Sequence, residues 1–366
     1  MPGWDITRPR NNAASVLFLL VFVVCASLPF CLPGWSQDSS KQDQPKQDQL
    51  KQDQLKQDQS KPATAGKPEP QKDQDQEESD RSGVFVIHKK VDEVLLHASV
   101  VDDKQHIVTN LDRSAFTVFE DGKPQNIISF HHVDIPVAMG IVIDNSGSMR
   151  EKRAKVNQAA LNLVRSSNPK DEVFIVNFND EQYLDQDFTN DLLKMKEALE
   201  KIDARGGTAL YDAIVASADH LKTNARLEKK VIFVVTDGED NASTETLEQA
   251  VKQLQQENGP SVYAIGILGD EEHPKRARKA LQILADRTGG LAFFPKTLDE
   301  VDAISRTIAN EIRNQYAIGY KPATPKSAGD FRQIRVEAKA KGHGKLVVRT
   351  KTGYYAETQT AGSVGK

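Results

Sequence analysis

The sequence predicts a doubly wound, mostly parallel α/β sheet flanked by small all-β segments. Three observations predict it. Wholly apolar runs such as Ile141-Val142-Ile143, Val173-Phe174-Ile175-Val176 and Val231-Ile232-Phe233-Val234-Val235 have the composition of strands buried on both faces. Between them lie segments with helical spacing of apolar residues, so strands and helices alternate over 135–314. On either side of that stretch the sequence turns strand-like, with turn signals and no helical period.

The 366 residues suffice for two or three domains. With 27% charged residues, 38% hydrophobic residues and a formal net charge of -4, the chain has no basic field, so nucleic acid is not an expected partner. Residues 1–36 read as a signal peptide or an N-terminal anchor. Arg8 and Arg10 precede the apolar run from Val16 to Val24, and smaller residues follow. No other stretch is long enough to span a bilayer, so a membrane role would rest on that segment alone. Both cysteines, Cys25 and Cys31, lie in it, and a mature chain cut near Ser36 would hold no disulfide. The expected location is outside the cytoplasm: periplasmic, in the cell envelope or secreted.

Residues 37–82 read as a disordered linker. Lys-Gln-Asp-Gln recurs from Lys41, Lys46, Lys51 and Lys56, and such polar sequence buries too little apolar area to offset chain entropy. A small β module is expected over 83–134, with strands at 84–87, 94–101, 116–119 and 127–130. Asp102-Asp103-Lys104 reads as a turn, and Glu120-Asp121-Gly122-Lys123 as a hairpin. Within the α/β stretch, helices are expected at 150–166, 191–202, 209–221, 244–256, 276–287 and 298–313. Strands are expected at 173–178, 231–236, 262–267 and 291–294, with an edge strand at 183–188. A C-terminal β segment of three strands over 315–358 and a disordered tail at 359–366 complete the chain. The two small flanks are expected to pair into one β-sandwich, since neither is large enough to stand alone.

The candidate site lies where these strands end. Asp144-Asn145-Ser146-Gly147-Ser148 follows the first buried strand, at the carboxyl edge where open α/β sheets bind ligands. Arg205-Gly206-Gly207-Thr208 places a hydroxyl on a Gly-rich loop, and Thr236-Asp237-Gly238 ends another strand in a carboxylate. This all-oxygen set suits a hard cation such as Mg2+ and suits zinc or copper poorly. Asp144, Ser146, Ser148, Thr208 and Asp237 resemble the metal-ion-dependent adhesion site of von Willebrand factor type A domains. The resemblance implies Mg2+, or Mn2+ or Ca2+, bound directly by Ser146, Ser148 and Thr208 and partly through water by Asp144 and Asp237. One coordination position would stay open for an Asp or Glu carboxylate of a protein partner. It further implies adhesion or scaffolding, the structural alternative being a cell-envelope scaffold with a vestigial metal site. Asn110-Leu111-Asp112-Arg113-Ser114-Ala115-Phe116, Asn314-Gln315-Tyr316 and Gly353-Tyr354-Tyr355 are similar to segments of a group of bacterial A-domain proteins abundant in acidobacteria.

No catalytic residue is expected. A Mg-dependent phosphotransfer site would need further carboxylates near Asp144 and a lysine at a strand end. Ser146-Gly147-Ser148 lacks the Gly-x-Ser-x-Gly turn of a hydrolase nucleophile. Glu239 and Asp240 read either as caps of a helix starting near Ser243 or as negative charge beside the site that weakens acidic ligands, and His220 as a solvated helix residue.

Overall fold

The computed structural model describes residues 93–200, 204–269, 274–325 and 327–357. The expectations for 1–36, 37–82, 84–87 and 359–366 lie outside them. Four strands come first: β1 Val94–Val101, β2 Phe116–Glu120, β3 Lys123–Gln125 and β4 Ile127–His131. Asp121 and Gly122 join β2 to β3 at φ values of 49° and 76°. Two consecutive left-handed residues match the twist of a tight hairpin, which is why Asp-Gly stands there.

The α/β stretch follows as β5 Val137–Asp144, α1 Arg153–Arg165, β6 Glu172–Phe178, β7 Gln182–Thr189, α2 Leu192–Glu200 and α3 Leu210–Asn224. It continues with β8 Lys229–Thr236, α4 Leu247–Leu254, β9 Ser261–Gly266, α5 Pro274–Thr288, β10 Ala292–Phe293 and α6 Glu300–Arg313. The chain closes with β11 Tyr316–Tyr320, β12 Phe331–Ala338, β13 Val347–Arg349 and β14 Gly353–Tyr355. The C-terminal segment thus has four strands where three were expected. The short β14 pairs with β12 from Phe331 to Gln333. Among the described residues no helix is long and apolar enough to cross a membrane.

The six-stranded sheet has the order β10-β9-β8-β5-β6-β7. All neighbours are parallel except β6 and β7, which pair antiparallel. Every residue of the central β5 is buried. Successive side chains of a strand point to opposite faces. Met139, Ile141 and Ile143 therefore pack with Val156, Leu163, Leu199, Ile308 and Ile312 of α1, α2 and α6. Ala138 and Val142 pack with Leu210, Ile214, Leu254 and Leu284 of α3, α4 and α5. Gly140 interrupts the run for a steric reason: a Cβ there would strike the Phe174 ring of the neighbouring β6.

Two further sheets form the β-sandwich, in the orders β13-β1-β11-β4 and β14-β12-β2-β3. β11 pairs antiparallel with β1, and β12 with β2. Each sheet therefore joins strands from before and after the α/β domain, which is inserted between β4 and β11. One apolar cluster fills the sandwich, including Val94, Leu96, Phe116 and Val118 from the first flank and Tyr316, Ile318, Tyr320 and Tyr354 from the second. Buried Glu120 accepts hydrogen bonds from the Tyr320 hydroxyl at 2.5 Å and the Tyr354 hydroxyl at 2.9 Å.

Buried polar contacts stitch the sandwich to the end of the α/β domain opposite the carboxyl edge of its strands. Gln315 Nε2 donates to Tyr263 Oη at 3.1 Å and to Ser99 Oγ at 3.3 Å. Arg349 pairs with Glu311 at 3.4 Å. The Tyr355 amide donates to the Gln255 carbonyl at 2.8 Å.

Two details depart from the sequence expectations. The helix after β5 begins at Arg153 rather than Arg150, and a 3-10 turn, Gly147–Met149, precedes it. His220 is no solvated residue: its ring stacks on Phe188 with centroids 5.2 Å apart, and Nε2 lies 2.9 Å from Asp187.

Candidate metal centre

Three loops meet at the carboxyl edge of the six-stranded sheet. The first follows β5 and carries Asp144, Ser146 and Ser148. The second, before α3, carries Thr208. The third follows β8 and carries Asp237. Backbone hydrogen bonds join them: the Gly147 amide donates to the Gly206 carbonyl at 3.2 Å, and the Arg205 amide to the Asn145 carbonyl at 2.9 Å. The Asn241 amide donates to the Thr208 carbonyl at 3.0 Å, and Asn241 Oδ1 accepts from the Thr208 amide at 2.9 Å.

The Gly-Gly pair has a steric origin. Gly206 has φ +78°, a left-handed backbone that only glycine adopts readily, and a Cβ there would strike the Asp180 carboxylate. A Cβ on Gly207 would stand 2.8 Å from Asn241 Oδ1 and 2.9 Å from Asp180 Oδ1. The Gly207 amide instead donates to Asp180 Oδ1 at 2.8 Å.

Four of the five predicted residues form one hydrogen-bonded chain. Asp144 Oδ1 accepts from the Ser146 amide at 2.8 Å, and Ser146 Oγ lies 3.1 Å from Ser148 Oγ. Ser148 Oγ donates to Asp237 Oδ1 at 2.8 Å. Thr208 joins the cluster through its loop. Asp144, Ser146, Thr208 and Asp237 are buried, and Ser148 reaches solvent.

Burial pushes the Asp144 carboxyl up to about 6, against the lowering hydrogen bonds from Thr236 and Ser146, and the nearby Asp237 charge adds to the rise. Thr236 Oγ1 donates to Asp144 Oδ2 at 2.6 Å. A cation placed beside these carboxylates would offset that cost. Asp237 already draws one from its own chain: Lys152 Nζ lies 2.5 Å from Asp237 Oδ2. Among the described residues, no group of three or more His, Cys, Asp or Glu side chains could hold a metal ion. Two carboxylates and three hydroxyls fit only a hard cation that keeps part of its own water.

Behind the cluster stands Arg153, which the sequence did not single out. It is buried, and its guanidinium donates to Asn145 Oδ1, to Asn177 Oδ1 at 3.2 Å and to the Leu199 carbonyl at 3.1 Å. It fixes the loop after β5 against β6 and the end of α2. Asp240 also differs from expectation. It does not cap the helix after Ser243; Thr246 caps that helix, through a capping box with Gln249. Asp240 instead accepts from the Tyr211 amide at 3.0 Å at the start of α3, and from Ser243 Oγ at 2.5 Å. Glu239 pairs with Arg276 at 3.7 Å.

A doubly wound sheet with an oxygen-lined cluster on three loops at its carboxyl edge defines an open α/β domain. Residues 139–239 match the von Willebrand factor type A domain family, and the chain carries a domain of that family. Solved structures of similar fold include a von Willebrand factor type A protein from Catenulispora acidiphila, at 14% identity and TM-score 0.44 over 74% of this chain and 76% of that one. The vWF domain of the type V pili tip protein Mfa5 from Porphyromonas gingivalis is 14% identical, with TM-score 0.40 over 50% of this chain and 97% of that one. An aerotolerance-related membrane protein from Bacteroides fragilis is 21% identical, with TM-score 0.39 over 48% and 98%. No curated protein matches the chain.

Proposed function

We propose that this chain is an exported protein that binds other proteins through a divalent cation. Asp144, Ser146, Ser148, Thr208 and Asp237 would hold Mg2+, or Mn2+ or Ca2+, and the partner would present an Asp or Glu side chain. The observation that carries the reading is the hydrogen-bonded chain from Asp144 through Ser146 and Ser148 to Asp237, with the Thr208 loop bonded onto it. When bound, the ion would supply a hard positive centre with an open position, which attracts a carboxylate. The residues of the chain orient the donors: Thr236 holds Asp144, Arg153 holds Asn145, and Asn241 holds the Thr208 loop. This is adhesion or scaffolding rather than catalysis, and the export assignment rests on residues 1–36. One observation favours the alternative of a structural envelope scaffold: the Lys152 ammonium already pairs with Asp237.

The test is thermal melting of the purified protein in excess EDTA and in millimolar Mg2+ or Mn2+. Ligation should add about 2.7 kcal/mol at one hundred times Kd. Asp144→Ala should abolish the gain. Identical melting in EDTA and in Mg2+ would refute the metal reading and leave the scaffold.

A further inference from the structure

The metal reading leaves Lys152 unexplained. It is the N-cap residue of α1, and the run Arg150-Glu151-Lys152-Arg153 concentrates cations at that helix start. The first turn of α1 holds no acidic residue. Cations are disfavoured there, because the aligned peptide dipoles make a helix N-terminus positive. The helix start offers the Lys152 ammonium no support of its own, and its partner lies on another loop. Its Nζ lies 2.5 Å from Asp237 Oδ2, on a carboxylate with no solvent exposure, while the Lys152 side chain is 24% exposed. The other oxygen of Asp237 accepts the Ser148 hydroxyl at 2.8 Å. Both oxygens of this carboxylate are thus engaged within the chain.

We propose that Lys152 is a built-in competitor for the divalent ion. Its ammonium pairs with Asp237, and a divalent ion bound beside that carboxylate would have to compete with it. The inference rests on the reading of the five-residue cluster as a metal centre. A buried carboxylate without a partner is costly, so the metal-free domain needs a counter-ion. A monovalent ammonium and a divalent cation on one carboxylate repel each other, so the Lys152 head group would weaken binding of an ion beside Asp237. The lysine stem is flexible, and its partial exposure gives the head group a path to water.

The test compares the wild-type full chain with Lys152→Met, which keeps a long stem and removes the charge, and with Lys152→Gln, which keeps a donor toward Asp237. Mn2+ alone is titrated by calorimetry, and melting is recorded in excess EDTA. Asp144→Ala serves as the control for binding at this centre. Lys152→Met should bind Mn2+ about tenfold more tightly or better, the lower end of couplings between close charge pairs. It should also melt lower than wild type in EDTA, because Asp237 loses its counter-ion. Lys152→Gln should bind Mn2+ more tightly than wild type and serves if Lys152→Met does not fold. An unchanged or weaker Mn2+ affinity in both Lys152 variants would overturn the competitor and leave the metal reading intact. Absence of Mn2+ binding by wild type and both variants, or wild-type binding by Asp144→Ala, would overturn both.

Discussion

Ending the chain at Asn314 removes β11, β12, β13 and β14 but leaves every strand of the six-stranded sheet. The deletion takes Tyr316, Ile318, Tyr320, Ile334, Val336 and Tyr354 out of the sandwich cluster, each no more than 8% exposed. Large apolar side chains contribute about 1.5–3 kcal/mol each when buried, so these six amount to about 9–18 kcal/mol. A whole domain is stable by only about 5–15 kcal/mol. The backbone loses as much support. β1 gives up its partners on both sides, β11 and β13, and β2 gives up β12. What remains of the second sheet is the β2–β3 hairpin, and an isolated hairpin is marginal in water. Glu120 loses both tyrosine donors at once. The truncated protein should expose Val94, Leu96, Phe116 and Val118 and self-associate. Size-exclusion chromatography with light scattering reads the association, and amide NMR reads the loss of dispersed signals from 94–131. A truncated monomer that keeps those signals dispersed would refute the shared sandwich.

Two further perturbations test the core of the α/β domain. Gly140→Ala drives a methyl group into the Phe174 ring and should cost about 1–3 kcal/mol, seen as a lower urea midpoint; Phe174→Leu in the same chain should recover part of it. Burial pushes the Asp171 carboxyl up to about 6, against the lowering hydrogen bonds from the Val137 and Asn168 amides. The native state therefore binds more protons than the unfolded state between the ordinary value of 3.8 and about 6. Asp171 costs nothing below that window, and its contribution falls as pH rises through it, by about 3 kcal/mol at most. Urea unfolding from pH 4 to 7 should show a flatter profile for Asp171→Asn; parallel profiles would contradict the assignment.

The α/β core was legible because β5, β6, β8 and β9 are apolar almost throughout, and the helices between them carry a 3.6-residue period. Short elements were harder. β3 and β14 are three residues each, too short for any alternation to register. The loop residues of the candidate site were legible as a pattern because their positions at strand ends follow from the strands themselves. Their supports were not. Arg153 sits on the buried stripe with Val156, Ala160 and Leu163, a spacing of three, four and three, whereas Ala154 turns outward. A cation on such a stripe is the one signal that could have marked it. Lys152 resembled any solvated lysine at a helix start, because its partner lies 85 residues away in sequence. Asp240 was assigned to the wrong helix for the same reason: which helix end a loop carboxylate faces is decided by the packing of α3 against α4, not by its nearest neighbours in the chain.

The insertion of the α/β domain between β4 and β11 sets how the molecule would answer a pull. Consider tension between a partner held at the carboxyl edge and the segment preceding Glu93. Val94, the first residue of β1, lies opposite Tyr320, while Tyr316, where the chain returns from the α/β domain, lies opposite Ala98. The two antiparallel strands are thus tugged from opposite ends and along their own length. Their rungs strain together rather than peeling one after another, which makes this pairing act as a clasp under tension instead of a zipper.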